Sequence, residues 1–195
     1  AANEGNAISL GIGYYLATKK VPLIYLQNSG IGNATNPILS LADPDVYSIP
    51  MILLIGWRGE PNVKDEPQHL KQGKVTTDLL DTMNIAYEIL SSEMNSLEAD
   101  LVVKKMVKKS IDLNAPCALL VKKATFNSYQ LRFEKKFQRE LYREEVIDTL
   151  VKEVKADDIL VSTTGVASRE LFEIREKKSQ GHKKDFLTVG GMGHA

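Results

Sequence analysis

Three short apolar runs constrain the fold of this 195-residue chain more than any other feature. They are Val21–Leu26, Pro50–Ile55 and Pro116–Val121, and the first two end in polar or glycine-rich turns. Short runs that are apolar throughout are typical of strands buried in a parallel sheet. Helical spacing lies between them, so the chain is predicted to alternate β and α as in a doubly wound α/β domain.

Helical periodicity marks the segments between these runs. The predicted helices span Asn3–Lys19, Ile38–Leu41, Thr77–Leu90 and Ser96–Asn114. Ser96 is the predicted N-cap of the last helix. Glu60–Gly73 is strongly polar and is predicted to be a loop. All four helices therefore connect or flank the apolar strands.

A second α/β series follows a connector that is rich in basic and aromatic residues. The predicted elements are a helix at Glu144–Val154, a strand at Ile159–Val161, a helix at Val166–Lys177 and a strand at Phe186–Val189. The series stops in the glycine-rich turn Gly190–Ala195, so we expect the chain to be part of a longer protein. The predicted boundaries are a first domain at 1–123, a linker at 124–143 and the start of a second domain at 144–195.

Charge and cysteine content exclude several classes of protein. Lys and Arg number 25 and Asp and Glu number 25, so the net charge is zero, which argues against a nucleic-acid binder or an anionic-membrane protein. The longest apolar stretch, Ile49–Trp57, is too short to cross a bilayer. The single cysteine, Cys117, cannot form an intramolecular disulfide, and we expect a cytoplasmic protein. No histidine has a partner at metal-ligand spacing, so no protein-bound metal is predicted in this chain.

Four polar segments fall where strands end or helices begin. They are Asn3–Asn6, Gln27–Gly30, Gly56–Gly59 and Ser162–Gly165. Any one of them is commonly a simple turn or cap, but the four together favour a ligand site, since α/β sheets bind ligands at the carboxyl ends of their strands. For Glu4, spacing alone favours a carboxylate that interacts with the helix dipole over one that binds a ligand.

The polar loop allows two interpretations. Its mixed charges suit a solvated surface loop, whereas Arg58 has the donor geometry to bind an oxyanion, with Lys64, His69 and Lys71 adding positive potential. Both interpretations remain open at this point.

Taken in order, longer segments of the chain resemble one enzyme family. The segments are Ala2–Ala7, Leu26–Asn33, Gly56–Pro61, Asp65–His69, Thr163–Phe172 and Gly190–Ala195. They are similar to phosphonopyruvate decarboxylases, which depend on thiamine diphosphate and are related to sulfopyruvate decarboxylases. The resemblance spans essentially the whole chain. It implies a thiamine-diphosphate-binding α/β fold, with a pyrimidine-binding domain at 1–123 and the beginning of a truncated diphosphate-binding domain at 144–195.

The resemblance also implies a role for individual residues. Glu4 corresponds to the catalytic glutamate that hydrogen-bonds the cofactor aminopyrimidine. The implied cofactor-binding residues are Asn28, Ser29 and Asn33 on the pyrimidine side, Thr164, Gly165, Ser168 and Arg169 near the diphosphate, and Gly190 and Met192 at the centre of the cofactor. The implied substrate-binding residues are Arg58, Gln68 and His69. The implied cofactors are thiamine diphosphate and Mg²⁺, whose binding motif is expected beyond Ala195.

The reaction implied by the resemblance is the non-oxidative decarboxylation of 3-phosphonopyruvate to phosphonoacetaldehyde and CO₂ in phosphonate biosynthesis. The resemblance also implies a homo-oligomer, at least a dimer, with the active site at the subunit interface. Three alternatives remain: a sulfopyruvate decarboxylase, a non-catalytic subunit with the same fold, and an independent anion-binding domain.

Overall fold

The computed structural model describes residues 1–130, 140–163 and 165–188. It divides into two compact units, Ala1–Tyr129 and Gln130–Ala195. The division lies inside the predicted linker, residues 124–143. The assignment of the two units to pyrimidine and diphosphate binding stays a prediction.

The first unit is a four-stranded parallel sheet covered by helices on both faces. Its elements are α1 Glu4–Thr18, β1 Leu23–Gln27, α2 Ile31–Pro37, β2 Met51–Gly56, α3 Pro67–Thr82, β3 Ala86–Leu90, α4 Ser96–Leu113 and β4 Pro116–Val121. A 3₁₀ turn, Asn28–Gly30, precedes α2, and a π-helical turn, Ile38–Ala42, follows it. The strand order β1-β2-β4-β3 brings the carboxyl ends of all four strands to one edge of the sheet.

Strand β4 shows why the sheet lies in the middle of this unit. All six of its residues are buried, and their alternation divides them between two cores. Ala118 and Leu120 pack with residues of α1, α2 and α3, whereas Cys117 and Leu119 pack with Met106 of α4. The Cys117 thiol is fully buried, and burial raises its pKa, as expected for an unreactive core cysteine.

Strand β1 lies at the edge of the sheet and is buried on one face only. Ile24 and Leu26 belong to the core, but Leu23 and Tyr25 on the opposite face are 62% and 69% exposed. The expectation of a fully buried first strand is therefore wrong for this face, because α4 packs against β2, β3 and β4 and leaves β1 uncovered.

The predictions for residues 60–90 need correction. Helix α3 begins at Pro67, inside the predicted loop, and ends at Thr82, well before the predicted end at Leu90. Proline suits the first turn of a helix, since the amide there has no intrahelical acceptor. Asn84 adopts a left-handed conformation (φ 53°) that interrupts the helix, and the residues after it form β3 instead.

Two smaller corrections concern helix starts. The N-cap of α4 is Asn95 rather than Ser96, and it forms a capping box with Glu98. Helix α2 was not predicted, because only the turn that follows it, Ile38–Ala42, has a clear apolar pattern. The strand β4 and the helices α1 and α4 lie where the sequence predicts them, within two residues at either end.

In the described residues of the second unit there are two short parallel strands and two helices. They are α5 Arg143–Glu153, β5 Leu160–Ser162, α6 Val166–Lys177 and β6 Asp185–Leu187, close to the predicted positions. Val151, Leu171 and Ile174 form its small core. Arg175 reaches Asp185 through two hydrogen bonds of 3.1 and 3.0 Å, and the Asp185 side chain is fully buried. This pair ties the end of α6 to the start of β6.

Helix α3 and the turn after β2 touch through their backbones. A Cβ atom on Gly73 would lie 1.7 Å from the carbonyl oxygen of Gly59, and one on Gly59 would lie 2.0 Å from the carbonyl oxygen of His69. Gly59 also has a positive φ of 68°, which disfavours any side chain. The contact fixes the loop between β2 and α3 against the helix.

We therefore expect Gly73→Ala to lower the free energy of unfolding of the first unit by about 1–3 kcal/mol, since the backbone has to move to accept the methyl group. This loss should occur although alanine is the better helix former by about 1 kcal/mol. Urea unfolding followed by the fluorescence of Trp57, the only tryptophan in the chain, measures it. Gly13→Ala in α1 is the matched control: a methyl group there would meet no atom of another segment within 4 Å, so stability should rise. Equal effects at the two positions would contradict the backbone contact.

Candidate functional site

The Glu4 side chain is held at the carboxyl edge of the first sheet. Asn3 caps α1 by accepting the Asn6 amide at 2.9 Å, which places Glu4 in the first helical turn. Its Oε2 accepts a hydrogen bond of 2.9 Å from the Asn33 side chain of α2. A Cβ on Gly30 would lie 2.2 Å from Glu4 Cγ and 2.6 Å from Oε1, so Gly30 provides the space that this carboxylate occupies. Glu4 is thus an oriented, half-buried carboxylate rather than a freely solvated one.

Asn28 ties together three segments at the same edge. It is 4% exposed, and its amide makes three hydrogen bonds. Its Oδ1 accepts the Arg58 amide at 3.0 Å, and its Nδ2 donates to the Arg58 carbonyl at 2.8 Å and to Thr76 Oγ1 at 2.9 Å. A buried amide needs such partners. The structure therefore gives Asn28 a positioning role. The roles of Asn28, of the half-buried Ser29 and of Asn33 in cofactor contact stay predictions.

Asp65 is the centre of a hydrogen-bond network that sequence reasoning did not single out. Its Oδ2 accepts Arg58 Nε at 2.8 Å and the Gly59 amide at 2.7 Å. Its Oδ1 lies 2.5 Å from Arg58 Nη2, 2.7 Å from the Glu66 amide and 3.1 Å from His69 Nδ1. The carboxylate is 11% exposed. The only sequence signal was its spacing, seven residues after an arginine and four before a histidine.

The electrostatics of this network keep Asp65 ionised. The hydrogen bond from Arg58 is the largest cause and holds the pKa of the carboxyl far below its usual range, against the opposing effect of burial. The same pairing raises the pKa of Arg58. Arg58 therefore stays charged, but its two-pronged donor face is turned towards Asp65.

The three predicted substrate residues are partly brought together. Arg58 and His69 both contact Asp65, so they lie close to each other. Gln68 is exposed at the start of α3, next to His69 in sequence. Their contact with substrate stays a prediction.

A cavity of about 400 Å³ opens at the carboxyl ends of β1, β2 and β4. Gln27, Gly56 and Val121, the last residues of these strands, all line it. Arg58 and Asp65 line it too, as do aromatic side chains including that of Trp57. The Trp57 indole donates a hydrogen bond of 2.9 Å to the Gly73 carbonyl, which fixes the ring. The volume is within the range of small-molecule sites, about 300–1,000 Å³.

In the second unit, the predicted diphosphate residues lie at the start of α6. Gly165 precedes the helix with a φ of 96°, Ser168 is buried and Arg169 is exposed. Ser168 Oγ lies 2.7 Å from the Thr163 carbonyl and 3.1 Å from the Thr188 carbonyl. Thr164, Gly190 and Met192 are outside the described residues, so their predicted roles remain untested.

Two observations fit the implied cofactor. The oriented Glu4 carboxylate at a sheet edge can accept a hydrogen bond from a heterocyclic ring. In the second unit, the buried Thr188 Oγ1 has no hydrogen-bond partner among the described residues, and Thr188 lies two residues before Gly190, where the predicted turn starts. The N-terminus of α6 favours anions through its amide groups and dipole.

Metal-ligating side chains do not gather in the parts of the chain that the structure describes. Within residues 1–130, 140–163 and 165–188, three or more such side chains do not come together at any point. No helix in the same ranges has both the length and the apolar character needed to cross a bilayer.

Comparison with known proteins matches both units. The family described as "Thiamine pyrophosphate enzyme, N-terminal TPP binding domain" matches residues 1–84. Phosphonopyruvate decarboxylases of Streptomyces viridochromogenes and Streptomyces hygroscopicus are 29% and 30% identical over 98% of this chain, which corresponds to 50% and 49% of their own length. The sulfopyruvate decarboxylase subunit alpha of Methanocaldococcus jannaschii is 34% identical over 62% of this chain and 67% of its own length. The chain thus spans about half the length of the phosphonopyruvate decarboxylases that it matches.

The Asp65 network leads to a prediction about stability and pH. Asp65→Asn should lower the free energy of unfolding at pH 7 by about 1–2 kcal/mol, because Arg58 loses its counter-charge but is 40% exposed, so that water partly screens its charge. Folding lowers the pKa of Asp65. The contribution of ionised Asp65 to the free energy of unfolding is therefore fully present above the unfolded pKa of about 4, and it is lost as the pH falls below that value.

Urea unfolding of wild type and variant between pH 3 and pH 8 measures the difference. The gap in unfolding free energy should narrow as the pH is lowered from 5 to 3. Glu66→Gln, next in sequence but exposed, is the control and should change stability by less than about 0.5 kcal/mol. A gap that is constant from pH 3 to pH 8 would mean that ionised Asp65 does not stabilise the fold.

Proposed function

The chain belongs to the thiamine pyrophosphate enzyme family that includes phosphonopyruvate decarboxylase and sulfopyruvate decarboxylase subunit alpha, and on that premise we propose that it is part of a 2-oxo acid decarboxylase. The observation that carries the proposal is the Glu4 carboxylate, held by Asn33 in the space above Gly30. A domain with a purely structural role has no need of a half-buried carboxylate that is oriented at a ligand-binding edge.

Thiamine diphosphate, when bound, supplies a carbanion equivalent and an electron sink for the decarboxylation. Glu4 of this chain would hydrogen-bond the aminopyrimidine ring and favour the tautomer that the chemistry needs. Asn33 would orient the carboxylate, and Gly30 would leave room for it. In the second unit, the amides at the start of α6, with Gly165, Ser168 and Arg169, would bind the diphosphate. The described residues of this chain bring together no set of side chains that would hold Mg²⁺.

We infer that the substrate is 3-phosphonopyruvate, converted to phosphonoacetaldehyde and CO₂ in phosphonate biosynthesis. Two relatives named phosphonopyruvate decarboxylase align with 98% of this chain and so with both units. The sulfopyruvate decarboxylase alpha subunits align with only 60% and 62% of it. The covalent linkage of the two units therefore supports the phosphonate substrate.

Sulfopyruvate is the second candidate, and a specific observation favours it. Over their shorter alignments the alpha subunits are 36% and 34% identical to this chain, more than either phosphonopyruvate decarboxylase. A sulfonate carries one negative charge whereas a phosphonate carries nearly two. Charge in the substrate site therefore distinguishes the two acids.

We propose a homo-oligomer, at least a dimer, in which the active site forms at the subunit interface, and a cytoplasmic location. The relatives named as alpha subunits support an enzyme that works as an assembly.

Glu4→Gln should reduce decarboxylation at least about 100-fold, because the amide keeps a hydrogen-bond acceptor for Asn33 but cannot supply the negative charge. The assay uses the protein expressed from the complete gene with thiamine diphosphate and Mg²⁺, and follows CO₂ release. Glu153→Gln, an exposed glutamate at the end of α5, is the control and should leave the rate unchanged. A wild-type rate of CO₂ release in Glu4→Gln would contradict the proposed catalytic role of Glu4.

The substrate is identified by comparing phosphonopyruvate and sulfopyruvate in the same assay. We expect kcat/KM to be higher for phosphonopyruvate. The reverse order would make the protein a sulfopyruvate decarboxylase with the same chemistry. Turnover of neither acid, in a protein shown to bind the cofactor, would favour a non-catalytic subunit.

A further inference from the structure

The cavity at the carboxyl edge of the first sheet contains charges that are almost fully paired. Five charged side chains line it: Arg58, Lys122, Lys123, Glu60 and Asp65. Arg58 pairs with Asp65, and Lys122 Nζ lies 2.9 Å from Glu60 Oε1. The hydrogen bond that Lys122 donates to Glu60 raises the pKa of Lys122, so this lysine stays charged. Within residues 1–130, 140–163 and 165–188, Lys123 has no ion-pair partner, and it leaves the cavity with one uncompensated positive charge.

The turn that carries Lys123 is held in a strained conformation. Ala124 has a φ of 58°, in the left-handed region that residues other than glycine rarely adopt. The Lys122 amide donates to the Leu90 carbonyl at 3.0 Å. Thr125 Oγ1 lies 2.8 Å from the Lys122 carbonyl and 3.2 Å from the Leu90 carbonyl. Strain of this kind persists where the surroundings fix it and is concentrated at binding sites. Here the anchored turn directs Lys123 and Phe126 to the cavity.

The rest of the lining suits a small anion. Tyr25, Trp57 and Phe126 line the cavity beside these charges, and the rings of Tyr25 and Phe126 are 69% and 66% exposed, so a small ligand can reach the charged groups from solvent. Only Nε and Nη2 of Arg58 donate to Asp65, and the guanidinium has further donors for a second oxyanion. The cavity therefore combines a free ammonium group with spare guanidinium donors.

The cavity is also close to Glu4. Gln27 lines the cavity, and the Glu4 side chain lies over Gly30, three residues further along the chain. Three residues span at most about 11 Å even when fully extended. A substrate whose anionic group is in the cavity can therefore lie next to a cofactor whose ring is bound at Glu4.

We propose that this cavity binds the phosphonate or sulfonate group of the substrate and that Lys123 is the residue that determines specificity for it. The inference rests on the proposed function, since it assigns a position to the distal anion of a 2-oxo acid. The charge of Lys123 is unpaired, whereas those of Lys122 and Arg58 are paired. Lys123 therefore favours the binding of an acid with a distal anion over one that lacks it.

The first test measures binding without turnover. Trp57 is the only tryptophan of the chain and lines the cavity, so its fluorescence reports on occupancy. The chain is titrated with methylphosphonate, with methanesulfonate and with the uncharged dimethyl methylphosphonate. We expect a saturable change with either anion, none with the ester, and a Kd for methylphosphonate at least about 10-fold weaker in Lys123→Gln.

Two further variants control this titration. Lys123→Arg keeps the charge and should restore most of the affinity. Lys109→Gln removes an exposed charge on α4 and should bind as the wild type does. Circular dichroism confirms that each variant is folded. No saturable binding to the wild type, or equal binding by Lys123→Gln, would overturn the proposal.

The second test separates this inference from the proposed function. In the protein expressed from the complete gene, Lys123→Gln should lower kcat/KM for phosphonopyruvate at least about 10-fold, mainly through a higher KM, whereas Lys109→Gln should leave kcat/KM unchanged. An active enzyme with unchanged kcat/KM for phosphonopyruvate would refute the role of Lys123 and preserve the function. Anion binding that depends on Lys123, in a protein that decarboxylates neither acid, would refute the function and leave the anion site.

Discussion

The buried amide of Asn28 is the interaction on which the functional edge depends. It accepts from and donates to the backbone of Arg58 and also donates to Thr76, so the end of β1, the turn after β2 and the middle of α3 are joined at one side chain. An unsatisfied amide at this depth would cost roughly 1–3 kcal/mol, so the three segments have to meet in one arrangement. That arrangement places Trp57 and Arg58 at the cavity and α3 behind them.

Most charged side chains at this edge form ion pairs. Arg58 would be an expensive residue in a half-buried turn, but Asp65 neutralises it and at the same time accepts the amides of Gly59 and Glu66. Glu60 neutralises Lys122 in a second ion pair. A site built in this way keeps a high density of polar groups with little net charge. A single unpaired residue then has a large influence on which ligand is favoured.

The elements whose patterns are local could be predicted from the sequence. Strand β4 and helix α6 lie where they were predicted, because each has an uninterrupted apolar pattern of the right period. The boundary between α3 and β3 was wrong because it depends on the left-handed Asn84 and on pairing with β4, neither of which shows in a helical pattern. Glu4 was found by resemblance, but its contact with Asn33, 29 residues away, depends on the packing of α1 and α2. Asp65 was missed since its partners become neighbours only when the loop folds.

The backbone contact between Gly59 and Gly73 affects how sequence conservation in such a protein is interpreted. Neither position can accept a side chain while the other segment stays in place, so substitutions there are blocked by geometry rather than by chemistry. In a comparison of distant relatives, two glycines restricted in this way would appear as invariant as a residue that contacts the ligand. Invariance near this cavity therefore has two separate origins, and only the side chains that can be exchanged without moving the backbone report on selection for the ligand.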